Sequence, residues 1–179
     1  MLDLPFEAQQ VGDVSGKREL HNSTRKYFDA PTNEAHDVCR LVAAAFQDPI
    51  VVGAMARAFG VDLDGTNLRI EYAADTDGFW LEPHTDLGVK KLTFLYYVSL
   101  GPGQEDLGTD IYRSREEHWG RAPFVSNSAL VFVPSADTWH GFEARPITGV
   151  RKSLIVNYVT QDWRAREQLA FPEAPVVGS

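Results

Sequence analysis

Cysteine is almost absent from this sequence: Cys39 is the only one in 179 residues. An intramolecular disulfide and a multi-cysteine zinc site are therefore excluded, and a reducing compartment, the cytoplasm, is the expected location. Long apolar runs are missing as well. No window approaches the roughly 20 apolar residues needed to span a bilayer. The opening MLDLPFEAQQ lacks the basic start and apolar stretch of a signal peptide, so no membrane partner is expected. Basic residues never run longer than two, and the formal net charge is -8. That field repels phosphate backbones and offers no basic track to hold one, which argues against a nucleic-acid partner. Internal repeats, heptads and low-complexity tracts are lacking too.

What is present is apolar material enough for one core, 44% hydrophobic and 11% aromatic. The expectation is one domain over 1–179: an N-terminal arm and two helices (1–65), a β core (66–160), and a C-terminal helix and tail (161–179). Residues 1–31 show no sustained period. From Asn33, the residues Val38, Leu41, Val42, Ala45 and Phe46 recur at helical spacing. Asp48-Pro49 stops that helix and opens a second, Asp48 as N-cap and Pro49 at N1, which runs through Val52, Met55 and Phe59 to Gly60. After the Asp64-Gly65 turn the chain reads as strands: LRIEY, KLTFLYYVS, ALVFVP and KSLIVNYV, separated by Gly/Pro/Asp-rich turns. Strands of this length with no helices between them predict a mainly β fold, an antiparallel barrel or double-sheet jelly roll with flanking helices. The segment DWRAREQLAF predicts a short C-terminal helix.

The stretch Glu82-Pro83-His84-Thr85-Asp86 puts an imidazole and a carboxylate on one face of an extended chain. Two histidines and one carboxylate form a facial set that suits a divalent transition metal and leaves coordination positions open. His21 and His36 lie in the arm and first helix, and His118 in a polar loop. His140 lies between two strands, where a barrel can fold it back beside His84 and Asp86. Eleven residues later, alternation puts Arg151, Ser153, Ile155 and Asn157 on one strand face. An inward arginine and serine beside a metal call for an anion.

In this order the motifs resemble the Fe(II)- and 2-oxoglutarate-dependent dioxygenases, particularly the prolyl-hydroxylase-like branch. The similarity spans about Leu68 to Tyr158 and rests on the strand ending in Tyr72, then FWLEPHTD, LTFLYYVS, LGTDIY, ALVFVP, WHGFEARP and RKSLIVNYV. It implies a double-stranded β-helix, cupin-like, with His84, Asp86 and His140 as iron ligands. It also implies Arg151 on the distal carboxylate of 2-oxoglutarate, with Ser153, Tyr96 and Tyr72 completing the cosubstrate site. Fe(II), 2-oxoglutarate and O2 are the implied cofactor and cosubstrates, and succinate and CO2 the products. Family halogenases replace the carboxylate ligand by a small residue, so Asp86 favours hydroxylation or desaturation of an unactivated C–H bond.

One compact domain favours a small-molecule substrate such as an amino acid or biosynthetic intermediate, with a protein or peptide residue as the alternative. A zinc hydrolase or a non-enzymatic cupin-like binding module are more distant readings. Phe79, Trp80, Phe94 and Trp139 are candidates for an apolar wall, Glu82 for the pocket rim, and Asn22 and Arg25 for substrate contacts from the arm. The turn around Asp110 carries one glycine, Gly108, where the family often has two.

Overall fold

The structure, a computed structural model, describes residues 22–86, 88–98 and 101–178. The expectations for residues 1–21, His21 among them, fall outside this range. Three helices come early: α1 (Ala30–Ala35), α2 (Asp37–Gln47) and α3 (Pro49–Phe59). The Asp48 carboxylate accepts from the Ile50 N–H at 2.8 Å, Pro49 needs no donor there, and Gly60 closes α3 at φ 63°. α2 presents a different stripe from the one the spacing suggests. Cys39 and Ala43 are fully buried with Val38, Val42 and Phe46 beside them, whereas Leu41 is 60% exposed and Ala45 also faces out. Small residues at the centre of the contact let the helix lie close to the sheet, and that rotates the larger Leu41 outward. No single helix among the described residues is long and apolar enough to cross a membrane.

The rest is two antiparallel sheets. The strands are β1 (Ser23–Tyr27), β2 (Asn67–Asp75), β3 (Leu81–His84), β4 (Lys90–Tyr97), β5 (Asp110–Tyr112), β6 (His118–Arg121), β7 (Ser128–Phe132), β8 (Trp139–Phe142) and β9 (Arg151–Val159). One sheet runs β1-β2-β9-β4-β7 and the other β3-β8-β5-β6. Successive strands alternate between the sheets from β2 to β5, which is how a double-stranded β-helix is wound. β2 and β9 pair over nine residues, from Asn67↔Val159 to Asp75↔Arg151.

The two faces of the large sheet have opposite chemistry. Leu68, Ile70, Tyr72 and Ala74 of β2, with Leu154, Val156 and Tyr158 of β9 and Leu92 of β4, are buried against the helices. Phe46 of α2 meets Phe94 edge-on at 5.7 Å, and the Tyr158 hydroxyl donates to the Phe46 carbonyl at 2.6 Å. The other face carries Arg25, Arg69, Glu71, Thr93, Leu95, Arg151, Ser153 and Ile155 and looks into the space between the sheets. The main hydrophobic core therefore lies outside the barrel. A smaller cluster of Phe79, Tyr97, Leu107, Phe124, Phe142 and Ile147 closes one end of the barrel.

The structure corrects the reading of both flanks. Residues 23–27, unassigned from sequence, are a strand paired with β2 from Ser23↔Asp75 to Tyr27↔Glu71. The expected C-terminal helix reduces to a single 3-10 turn, Arg166–Gln168. β1 leaves the first residues of β2 without a neighbour on that side. Leu169 bridges to Arg69, and Ala170 N–H donates to the Leu68 carbonyl at 2.9 Å. Covering an open sheet edge outweighs a short helix that is marginal in isolation.

Candidate active site

β3 and β8 pair so that His84 lies opposite His140, with ring centroids 4.3 Å apart. Asp86, just past β3, completes the group: ligand atoms of the three lie within 4.8 Å of one another. His84 Nδ1 is 2.8 Å from the Glu82 carbonyl and His140 Nδ1 is 3.0 Å from the Thr138 carbonyl. A carbonyl only accepts, so each Nδ1 carries the proton and each Nε2 the lone pair. Each Nε2 lies 3.8 Å from an Asp86 oxygen, His84 from Oδ1 and His140 from Oδ2. Burial, with His84 alongside, pushes the His140 imidazole down to about 4, against the opposing pull of Asp86, so it is neutral as a metal ligand must be. Burial alone would raise the Asp86 carboxyl. The Lys90 ammonium at 2.8 Å, with His140 and His84, overcomes that and holds it below the usual carboxylate range. Two imidazoles held with Nδ1 toward a carbonyl and Nε2 toward Asp86, with one ionised carboxylate, fit a divalent metal.

Deeper in the barrel Arg151 is buried. Its Nε donates to the Leu107 carbonyl at 2.7 Å and its Nη1 lies 2.6 Å from Asp75 Oδ2. Phe142, Phe124 and Tyr97 surround the guanidinium at 4.7, 5.6 and 5.8 Å. Among the described residues, Nη2 has no acceptor. Arg151 ends a ladder of charges across β9, β2 and β1. Asp75 Oδ1 is 3.3 Å from Arg25 Nη2, Arg25 Nε is 3.4 Å from Glu71 Oε1, and Glu71 Oε2 is 2.7 Å from Arg69 Nη2. Every member is nearly buried, and the ladder lines a cavity of about 360 Å³ whose wall also holds His84, Asp86 and His140.

The other expected site residues divide by strand phase. Ser153 is buried on the pocket face beside Arg151. Tyr96 faces the opposite way, with Phe94 on the helix side, and its hydroxyl bonds the Asn127 side chain. The tyrosine turned inward is Tyr97, whose hydroxyl donates to Thr109 Oγ1 at 2.9 Å. Tyr72 likewise belongs to the helix-side core, since Arg69, Glu71, Ala73 and Asp75 hold the inner face of β2. Of the candidate wall, Phe79 lines the cavity, together with Leu81 and Phe142; Trp80, Phe94 and Trp139 do not. Glu82 lies at the surface, 3.6 Å from Arg115, and is dropped from the rim. Arg25 reaches the pocket, while Asn22 donates to the Asp77 carbonyl outside it. Sequence reasoning missed Arg69, Lys90, Asp75 and Trp163. Alternation with Glu71 in LRIEY was the available signal for Arg69.

The chain is thus an antiparallel double-stranded β-helix with a two-histidine, one-carboxylate cluster between its sheets. The sequence matches no protein-family model and no curated protein. Solved structures share the fold. A Pseudomonas putida prolyl-4-hydroxylase superposes with a TM-score of 0.55 at 17% identity, over 76% of this chain and 68% of that one. A Trichoplax adhaerens prolyl hydroxylase, solved with a hypoxia-inducible-factor peptide, gives 0.58 at 14% identity over 89% and 73%. HygX from Streptomyces hygroscopicus, with nickel and 2-oxoglutarate bound, gives 0.54 at 14% identity over 79% and 71%. This chain thus shares the fold of these prolyl hydroxylases and of HygX.

Proposed function

We propose that this protein is an Fe(II)- and 2-oxoglutarate-dependent oxygenase that hydroxylates an unactivated C–H bond of a small metabolite. The observation that carries the reading is the joint placement of the His84, Asp86, His140 cluster and Arg151 on the walls of one cavity. When bound, the metal with 2-oxoglutarate and O2 supplies the oxidising power, and succinate and CO2 are released. The protein's own residues do the rest. The Glu82 and Thr138 carbonyls hold both imidazoles in the ligating tautomer, and Asp86 supplies the charge. Arg151 Nη2, with the Ser153 hydroxyl beside it, receives the distal carboxylate of the cosubstrate and sets its orientation. Phe79, Leu81, Leu95 and Phe142 exclude water from the reacting end.

The fold carries both kinds of substrate, since the Trichoplax structure holds a peptide and a HygX structure holds hygromycin B. The limited cavity, walled on one side by Trp163 and Gln168, supports the metabolite. The test is Fe(II)- and oxygen-dependent conversion of 2-oxoglutarate to succinate, joined to calorimetric titration of 2-oxoglutarate with and without metal. Binding that needs the metal and turnover that needs oxygen are expected. A protein that holds zinc and shows no affinity for 2-oxoglutarate would instead be a hydrolase or a binding module.

A further inference from the structure

Along β2 and β9 the cavity wall runs from the Asp75–Arg151 pair to Arg69, and the chemistry at the Arg69 end is specific. Arg69 lies there on β2, gripped between the rings of Tyr27 and Trp163 with its guanidinium carbon 4.8 and 5.0 Å from their centroids. Gln168 Oε1 at 2.9 Å and Glu71 Oε2 at 2.7 Å take two of the five N–H groups a guanidinium carries. Around it are donors with nothing to donate to. Among the described residues, Trp163 Nε1 on the cavity wall is buried with no hydrogen-bond partner, and behind the wall so is Nδ2 of Asn157, the cross-strand neighbour of Arg69. Asn157 is fully buried, and its Oδ1 already accepts from Thr93 at 3.0 Å. Buried donors without acceptors are costly, and a guanidinium stacked on an indole whose N–H is unpartnered is completed by a group that only accepts.

The charges point the same way. Glu71 and Asp75 are shared among Arg25, Arg69 and Arg151, while Lys90 pairs with Asp86. A divalent metal adds two positive charges and the 2-oxoglutarate dianion removes two. Those two additions cancel, so an incoming group meets the arginine-rich wall itself, whose guanidiniums are nearly buried. The cavity of about 360 Å³ must hold the cosubstrate as well. That total is close to the lower bound for small-molecule sites, so what remains admits only a compact molecule.

We propose that the substrate is a small organic monocarboxylate and that Arg69, with Trp163 Nε1 beside it on the cavity wall, receives its carboxylate and presents the rest of the molecule to the metal. This rests on the oxygenase reading above and adds the class of substrate to it. Arg69 is then the specificity-determining residue of the mouth, as Arg151 is the anchor of the depth. Tyr27 and Trp163 fix the guanidinium plane, so a neutral amide of the same shape forfeits both the charge and an acceptor oxygen.

The test uses the full chain with Mn(II) in place of Fe(II), without oxygen and with saturating 2-oxoglutarate. Two isosteric pairs, butyrate with butyramide and benzoate with benzamide, are titrated while the metal-induced broadening of their proton resonances is followed. The expected result is saturable broadening of the acids, with affinity about tenfold or more above the amides. Arg69→Gln should weaken the acids by about tenfold. Trp163→Phe, which keeps the ring and loses one donor, should weaken them by about threefold. The affinity for 2-oxoglutarate should stay within about twofold in both variants, because Arg151 is untouched. Acids that bind no better than amides, or that bind both variants as they bind the wild type, would overturn the proposal. Wild-type protein that fails to bind 2-oxoglutarate with the metal would overturn the oxygenase reading instead, and that titration is read before any acid is added.

Discussion

Replacing Arg151 by glutamine removes a charge from the deepest point of the cavity and separates two consequences. The first is on cosubstrate binding. A guanidinium and a carboxylate about 4 Å apart at an effective dielectric near 20 attract by about 4 kcal/mol. Glutamine retains a neutral hydrogen bond of about 1 kcal/mol. The net loss of about 3 kcal/mol corresponds to a rise of roughly a hundredfold in the dissociation constant for 2-oxoglutarate. The second consequence is on stability. Asp75 loses its partner at 2.6 Å and keeps Arg25 at 3.3 Å and the Ser23 hydroxyl, so the cost should be about 3 kcal/mol, the low end for breaking a buried pair. Asp75→Asn combined with Arg151→Gln removes both charges and should recover much of that stability without restoring affinity. Calorimetric titration with Mn(II) measures the first effect and urea unfolding the second. A single variant that binds 2-oxoglutarate within about threefold of wild type would sink the anchor assignment. So would full recovery of affinity in the double variant, since the loss would then have come from a distorted barrel.

Three further outcomes are expected. Tyr97→Phe removes the hydroxyl that bonds Thr109 on the pocket wall and should weaken 2-oxoglutarate by about fivefold, whereas Tyr96→Phe should leave it unchanged; titration of both variants checks the strand phase, and the opposite ranking would contradict it. Gly141→Ala would place a Cβ 2.7 Å from the Leu81 carbonyl oxygen, push β3 away from β8 and separate His84 from His140. Metal affinity should fall by about tenfold with the helix-side core intact, as metal titration and circular dichroism would report. Burial alone would raise the Asp110 carboxyl, but Arg145, the Glu143 N–H and Arg121 hold it below its ordinary value. The unfolded chain therefore takes up the proton first, near pH 4, so this stabilisation is complete above that pH and is lost as pH falls further. Asp110→Asn should destabilise the protein at pH 7 by about 3 kcal/mol and flatten the decline in unfolding free energy from pH 5 to 3; a variant that loses stability on acidification as steeply as wild type would remove Asp110 from the account.

Much of this was legible in residue patterns that carry their own chemistry. Asp48-Pro49 and Gly60 mark the ends of α3 because each solves a backbone problem locally. The alternation from Arg151 to Asn157 placed three cavity residues on one face, and the spacing of His84 and Asp86 survives in the structure as a shared edge of the cavity. Strand phase was harder. In LRIEY the usual assumption turns apolar residues inward, yet here Leu68, Ile70 and Tyr72 turn out toward the helices, while Arg69 and Glu71 turn in. The inversion follows from a barrel whose interior is a charged pocket, and only the helices that cover the other face reveal it. The same ambiguity misplaced Tyr96 relative to Tyr97, because two adjacent tyrosines fit either register equally well. β1 hid for a related reason: its inner residues Ser23 and Arg25 look like a solvated arm until Asp75 and Glu71 are set opposite them.

The division of the large sheet into a charged face and an apolar face has a consequence for how this protein can change. In β1, β2 and β9, and in β4 beyond the bulge that lets Lys90 reach Asp86, the odd-numbered residues look into the barrel, and the even-numbered residues of β2, of β4 from Leu92 and of β9 from Leu154 hold the helices. Chemistry and foldedness are thus written on alternate letters of the same strands. A substitution at 69, 71, 153 or 155 alters what the cavity accepts at little expense to the helix-side core, whereas one at 68, 70, 154 or 156 threatens the scaffold and scarcely touches the site. Selection can therefore search for new ligands along one parity while keeping the other fixed, and numbering alone sorts the two kinds of variant.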